Sequence, residues 1–228
     1  MKISNFYEYK PLTRVTHDNG KREYVTPDGD SVPSVTTIIS ATAENYYLES
    51  WRKRVGDEEA DRISKESSDI GSLMHQHIEN HILGVERPYD NPLPDAELSA
   101  RMADLIIKGG LSKVDEVWGI EAGLYFPKLY AGTTDLVGVH DGEPAIMDHK
   151  SSKLMKSLSQ IDGYFMQGCA YAMAHNDVYK TDINKIVIFM ASRDEKYKEF
   201  SISGDKFHKY CDKWCATVDK FLRSSERK

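Results

Sequence analysis

Hydrophobic and polar positions follow two periods along this 228-residue chain, and the switches between them mark its elements. Leu136, Val137 and Val139 form one strand-like run and Ala145, Ile146 and Met147 begin another. Asp141-Gly142 stands between them as a turn that tolerates positive φ, so the stretch 131–153 reads as a β-hairpin. Residues 114–126 read as a strand ended by Pro127, and 186–191 with 198–202 as a further hairpin across 193–196. Near the start, residues 12–17 and 22–26 flank Asp18-Asn19-Gly20, a third hairpin, with the next turn at 27–30.

Period 3.6 marks the helices. Ser34 is an N-cap for a short helix that buries Val35, Ile38 and Ile39. Residues 46–55 form a helix ended by Gly56. Ile70, Leu73, Met74, Ile78 and Ile82 make an apolar stripe that Gly84 caps. Leu98, Met102, Leu105 and Ile106 do the same over 95–108, after a proline-containing loop at 90–94 and before Gly109-Gly110. Residues 160–174 and 205–222 are the last helices, the second carrying Phe207, Trp214, Val218 and Phe221. Residues 57–68 are charged and weakly apolar, and are expected to be the mobile part of a helical arch.

The length fits a single domain, 1–228: an N-terminal hairpin to residue 30, a helical part with a candidate arch at 31–110, and a core at 111–228. With 30 Lys and Arg against 36 Asp and Glu, the formal charge is −6. A global basic field is therefore absent, and any nucleic-acid contact must come from local patches. The start is polar and aromatic with an acidic Glu8, unlike a signal or transit peptide, and no apolar run is long enough to span a membrane. Three cysteines without C-x-x-C spacing indicate a reducing compartment, and Cys169, Cys211 and Cys215 are expected to pack.

The chemistry concentrates in the central hairpin. Asp135 and Asp148 can lie side by side across it, and Asp148 and Lys150, two apart on one strand, leave the same face. Two acids and a lysine on one patch suit a divalent metal that activates water against a phosphodiester. Gly-Thr-x-Asp at 132–135 followed by Asp-x-Lys-Ser-Ser at 148–152 resembles the PD-(D/E)XK nuclease superfamily in its RecB-like branch. The string Gly71-x-x-x-His75-x-x-x-Glu79 resembles that branch's first motif, and Gln167-x-x-x-Tyr171 its helical Gln/Tyr motif. The segment Pro33-Ser-Val-Thr-Thr-Ile-Ile resembles the opening of mitochondrial genome-maintenance exonucleases and their phage relatives.

That resemblance implies an α/β (α+β) fold, a central mixed sheet flanked by helices in the order αβββαβ, with an N-terminal helical segment. It implies that Asp135, Asp148 and Lys150 are catalytic, and that His75, Asp135, Asp148 and the backbone carbonyl of His149 hold one or two Mg²⁺ or Mn²⁺ ions. Ser151, Ser152, Lys153, Gln167 and Tyr171 would hold the substrate, Tyr171 being equally suited to the core. Glu79 would orient His75, and Glu121 is the acid that some relatives use where His75 stands here. Four-cysteine Fe–S clusters occur in the branch, but three cysteines cannot complete one. The expected activity is a single-strand DNA exonuclease in recombination, repair or degradation, phage or bacterial, located in the cytoplasm (the host's if phage-encoded). A strand-annealing or single-strand-binding protein is an expected partner. The alternatives are a double-strand exonuclease working with an annealing protein, a structure-specific endonuclease, and a scaffold that binds nucleic acid without cleaving. Trp51 beside Arg52, Lys53 and Arg54 suits single-stranded DNA or, equally, a solvated helix face.

Overall fold

In the computed structural model, residues 1–17, 22–43, 46–88 and 95–225 are described. The tip of the first hairpin, 18–21, and the whole loop at 90–94 fall outside them. The strands are β1 (Lys2–Ile3), β2 (Thr13–Thr16), β3 (Arg22–Val25), β4 (Ser31–Pro33), β5 (Val114–Phe126), β6 (Tyr130–His140), β7 (Glu143–Ser152), β8 (Lys185–Ser192) and β9 (Tyr197–Ser203). The helices are α1 (Val35–Thr42), α2 (Tyr46–Val55), α3 (Asp57–Leu83), α4 (Ala96–Gly109), α5 (Asp162–Tyr179) and α6 (Gly204–Ser225). No helix among the described residues is long and apolar enough to cross a membrane.

Six strands form the central sheet in the order β1-β5-β6-β7-β8-β9. It is mixed: β1 runs parallel to β5 and β7 parallel to β8, while the other pairs are antiparallel. A parallel pair needs a crossover, which α5 supplies between β7 and β8. Alternate residues face two cores. Leu136, Met147, Val187 and Phe189 pack under Ile70, Met74 and Ile78 of α3 and Met102 and Ile106 of α4. Val137, Ile146, Ile186 and Ile188 pack under Val35 and Ile38 of α1, Phe165 and Cys169 of α5, and Trp214 of α6. Burial on both faces is why β8 reads as an unbroken apolar run.

The expected β/α architecture is what folds. At the tip of the central hairpin Asp141 (φ 48°) and Gly142 (φ 76°) both lie at positive φ. A two-residue turn matching the strand twist needs that conformation. Ser34 caps α1 by accepting from the Thr37 amide, and β2 and β3 pair as a hairpin.

Three expectations are corrected. Residues 57–68 are no separate segment but the first half of the 27-residue α3. Arg62 with Glu59 and Glu66, and Lys65 with Asp69, pair one turn apart and support the helix where apolar residues are sparse. Arg193 then ties Glu66 to the β8–β9 turn at 2.5 Å. The helix expected at 160–174 starts two residues later and runs on to Tyr179, because a Ser157/Gln160 capping box closes a separate 3₁₀ turn first. Cys215 is exposed rather than packed. The start of the chain, for which no element was expected, contributes β1, and Tyr7 and Tyr9 pack among Trp118, His175 and Tyr179.

Candidate active site

The β6–β7 ladder begins at His140–Glu143 and stops at Leu136–Met147. The next residue on each strand is an acid, Asp135 on β6 and Asp148 on β7. Beyond this point β6 continues paired to β5 and β7 to β8, so the two strands part. The His149 amide donates not to β6 backbone but to the Asp135 carboxylate, at 2.6 Å. The acids therefore stand in the fork because the ladder ends there, and the side chain of one replaces a missing rung.

Alternation along β7 distributes the neighbours between the faces. Lys150 turns toward α5, its Nζ 2.6 Å from Asp148 Oδ2 and 5.1 Å from the ring centroid of Tyr164. His149 turns toward α3, where its ring meets His75 edge-on at 5.7 Å. Asp135 lies in the opening between. Its two oxygens are 3.4 Å from His75 Nδ1 and 3.8 Å from His149 Nδ1. His75 reaches it because Ile70, Met74 and Ile78 bury the adjacent stripe of α3. One turn earlier stands Gly71, where a Cβ would come 3.0 Å from Ser151 Oγ. The glycine permits this close approach of helix and strand.

Burial and charge set the protonation states. Burial disfavours a charged His75, but the facing Asp135 outweighs it and holds the imidazole up to about 9. Burial also acts against the Asp135 anion, yet His75 and His149 keep it below the usual carboxylate range. Asp148 is pushed the other way, to about 6, by burial and by Asp135, with Lys150 opposing. Neighbouring carboxylates driven apart in this manner mark sites where charge is concentrated for a purpose. Burial lowers His149 to about 4, leaving a neutral imidazole, and its Nε2 has no hydrogen-bond partner among the described residues. Lys150 stays charged: burial opposes its ammonium, but Asp148 and Asp135 raise its pKa.

One open cleft, about 340 Å³, adjoins this cluster and is lined by Gly71, Ser72, His75, Gln76, Glu79 and Glu121. Glu121, opposite Asp135 on β5 and at φ 47°, is pushed up to about 7 by burial and by Asp135. The ion pair that orients the His75 ring is with Asp135; Glu79 lines the cleft wall instead. Of the residues expected to hold substrate, Lys153 is exposed and Ser151 half-buried against Gly71. Ser152 donates to the Leu154 carbonyl at 2.7 Å and so closes its own turn. Tyr171 is corrected from strand contact to support: it is buried, and its hydroxyl accepts from Gln167 Nε2 at 3.3 Å.

Ligand-bearing atoms of His75, Asp135 and His149 lie within 4.8 Å of one another. The imidazole of His149, rather than its backbone carbonyl, is the unforeseen member of this group. Alternation along a strand separates it from Asp148, and only the fork reunites the two faces. Tyr164 was missed as well, although Gln160 and Tyr164 repeat the Gln-x-x-x-Tyr spacing seven residues before Gln167 and Tyr171.

No known family and no curated protein matches the chain. Among solved structures it is similar to a presumptive exonuclease from Eubacterium rectale, at 13% identity and a TM-score of 0.48. That match covers 68% of this chain and 66% of the other. It is also similar to an alkaline exonuclease from Laribacter hongkongensis, at 13% identity and a TM-score of 0.33, over 68% of this chain and 82% of that one. Likenesses this distant assign no activity.

Proposed function

We propose that the chain is a divalent-metal-dependent deoxyribonuclease that degrades single-stranded DNA from its ends. The observation that carries the chemistry is the fork itself: a buried and a half-buried acid at the end of a ladder, with Lys150 on one and His75 on the other. Its donor set fits a divalent ion. Asp135 is ionised, His149 is neutral with Nδ1 3.8 Å from that carboxylate, and His75, protonated while it pairs with Asp135, would give up its proton on binding the ion. When bound, the ion supplies an acidified water and offsets charge on phosphoryl oxygens.

His75, Asp135, Asp148 and His149 would hold that ion. Lys150, fixed by Asp148, orients the attacking water or a phosphoryl oxygen, a preorganised charge that needs no rearrangement during reaction. Gln167, steadied by Tyr171, reaches the strand together with Ser151 and Lys153. Mixed imidazole and carboxylate donors favour Mn²⁺ over Mg²⁺. The preference for single-stranded DNA rests on the motif resemblance around residues 31–40 and 71–79. End-labelled linear and circular DNAs, single- and double-stranded, with Mn²⁺, Mg²⁺ or EDTA, test the whole reading. Linear single strands should disappear with either metal, circles should persist, and EDTA should stop the reaction. Undiminished cleavage in EDTA would exclude the mechanism, and rapid cutting of circles would make the enzyme an endonuclease.

A further inference from the structure

Beyond Lys150 the chain carries a second ammonium that the site as described does not use. Lys156 lies past the end of β7, half-buried, with Nζ 2.6 Å from the Tyr164 hydroxyl and 4.8 Å from its ring centroid. The same ring stands 5.1 Å from Lys150 Nζ. One phenol at the start of α5 therefore holds two cations of different status. Lys150 is neutralised by Asp148. Lys156 is held by a neutral hydroxyl and has no carboxylate partner among the described residues, whereas the half-buried Lys185 pairs with Glu143. A positioned ammonium with uncompensated charge, beside a lysine that handles a phosphate, suits another phosphate of the same strand.

We propose that Lys156 binds the phosphate adjoining the scissile one, and that Tyr164 is the positioning residue linking this subsite to Lys150. The inference rests on the nuclease reading for the identity of the scissile position, but not for the contact itself. A single strand bound at the fork then spans two charges, the first reading the reacting phosphate and the second fixing how far the strand has advanced. The Tyr164 ring, carrying both cations, is the ruler between them.

The test begins without catalysis. Binding of a labelled oligothymidylate is measured in EDTA across a salt series for the parent, Lys156→Ala, Lys156→Arg, Tyr164→Phe and Lys206→Ala, the last neutralising an exposed lysine on α6. Lys156→Ala should weaken binding severalfold and flatten the logarithmic salt slope by about 0.7, the loss of one single-strand phosphate contact. Lys156→Arg should restore the slope, Lys206→Ala should match the parent, and Tyr164→Phe should fall between parent and Lys156→Ala. Oligonucleotides with one neutral methylphosphonate, second from either end, supply the second arm under Mn²⁺. The modification at one end should raise KM for the parent more than it lowers kcat, and add nothing further in Lys156→Ala. An unaltered slope in Lys156→Ala overturns the subsite whether or not DNA is cleaved. A flattened slope in a protein that cleaves nothing keeps the contact and overturns the nuclease reading instead.

Discussion

Asp135 and Asp148 stand next to each other in the hairpin register yet do opposite things to a proton. Asp135 is surrounded by imidazoles and an amide, so it is ionised; Asp148 is buried against another acid and is relieved chiefly by Lys150. Replacing Asp148 with Asn should therefore lower metal affinity and turnover together. Lys150→Ala leaves both carboxylates, so it should cost about 3 kcal/mol of transition-state stabilisation while metal still binds. Single-turnover cleavage beside calorimetric metal titration separates the two, and parent-rate cleavage by Lys150→Ala would reduce it to a surface lysine. His149→Phe should keep the stacking on Phe189 but weaken Mn²⁺ more than Mg²⁺, since imidazole prefers the softer ion. The acids and the lysine were legible in the sequence because a hairpin turn fixes register, and register fixes neighbours. His149 was not, because strand periodicity places it on the other face and says nothing of where a ladder ends.

Elements were legible where their own residues decide them and obscure where a partner does. The 3.6-residue stripe of α3 is plain over 69–83, but its first half is held by charge pairs and by Arg193 from a distant turn. β1 owes its existence to the edge of β5 and has only two residues of its own. On α2, the basic triplet divides: Arg52 is taken up by Asp57 at 2.9 Å and Asp61 at 2.8 Å, while Lys53 and Arg54 are exposed. Neutralising Lys53 and Arg54 together should flatten the salt slope of single-strand binding by about 1.4 if both meet phosphates, and leave it unchanged if they form a solvated face. The N-terminal aromatic segment makes a prediction about stability. His175 of α5 is buried between Tyr9, 3.0 Å from Nε2, and Thr181, 2.7 Å from Nδ1, and burial lowers its pKa to about 4. A base with a depressed folded pKa binds its proton more readily when unfolded, so its contribution is present above about 6.5 and is lost as pH falls toward 4. The full loss is about 3 kcal/mol. Urea unfolding at intervals from pH 7 to 4 should show that decline, and His175→Gln should remove one proton's share of the slope despite lower stability at pH 7.

For the whole molecule, the decisive quantity is a net charge of −6 combined with acids gathered at the cleft where, on the proposed function, DNA would arrive. Asp135, Asp148, Glu79 and Glu121 gather about this cleft, and the two whose pKa values are raised, Asp148 and Glu121, are raised first by burial and then by Asp135. Like charges this close disfavour both one another and an approaching phosphate. The counter-charges are local, Lys150 and Lys156 on the α5 side, and Lys150 is already matched by Asp148. A divalent ion in the fork would reverse the sign of the local field and turn a repelling cleft into a receiving one. DNA affinity should therefore depend on metal before any bond is cut. Calcium is the useful probe, since it accepts the same oxygens but fixes the attacking water loosely. Oligothymidylate should bind at least tenfold more tightly in millimolar Ca²⁺ than in EDTA, with cleavage slow compared with Mn²⁺. The midpoint of thermal unfolding should rise with Ca²⁺ as well, because an ion that binds only the folded chain stabilises it by mass action. A protein whose DNA affinity is equal in Ca²⁺ and EDTA, at matched ionic strength, would bind strands on a surface remote from the fork, and the acids there would serve the fold alone.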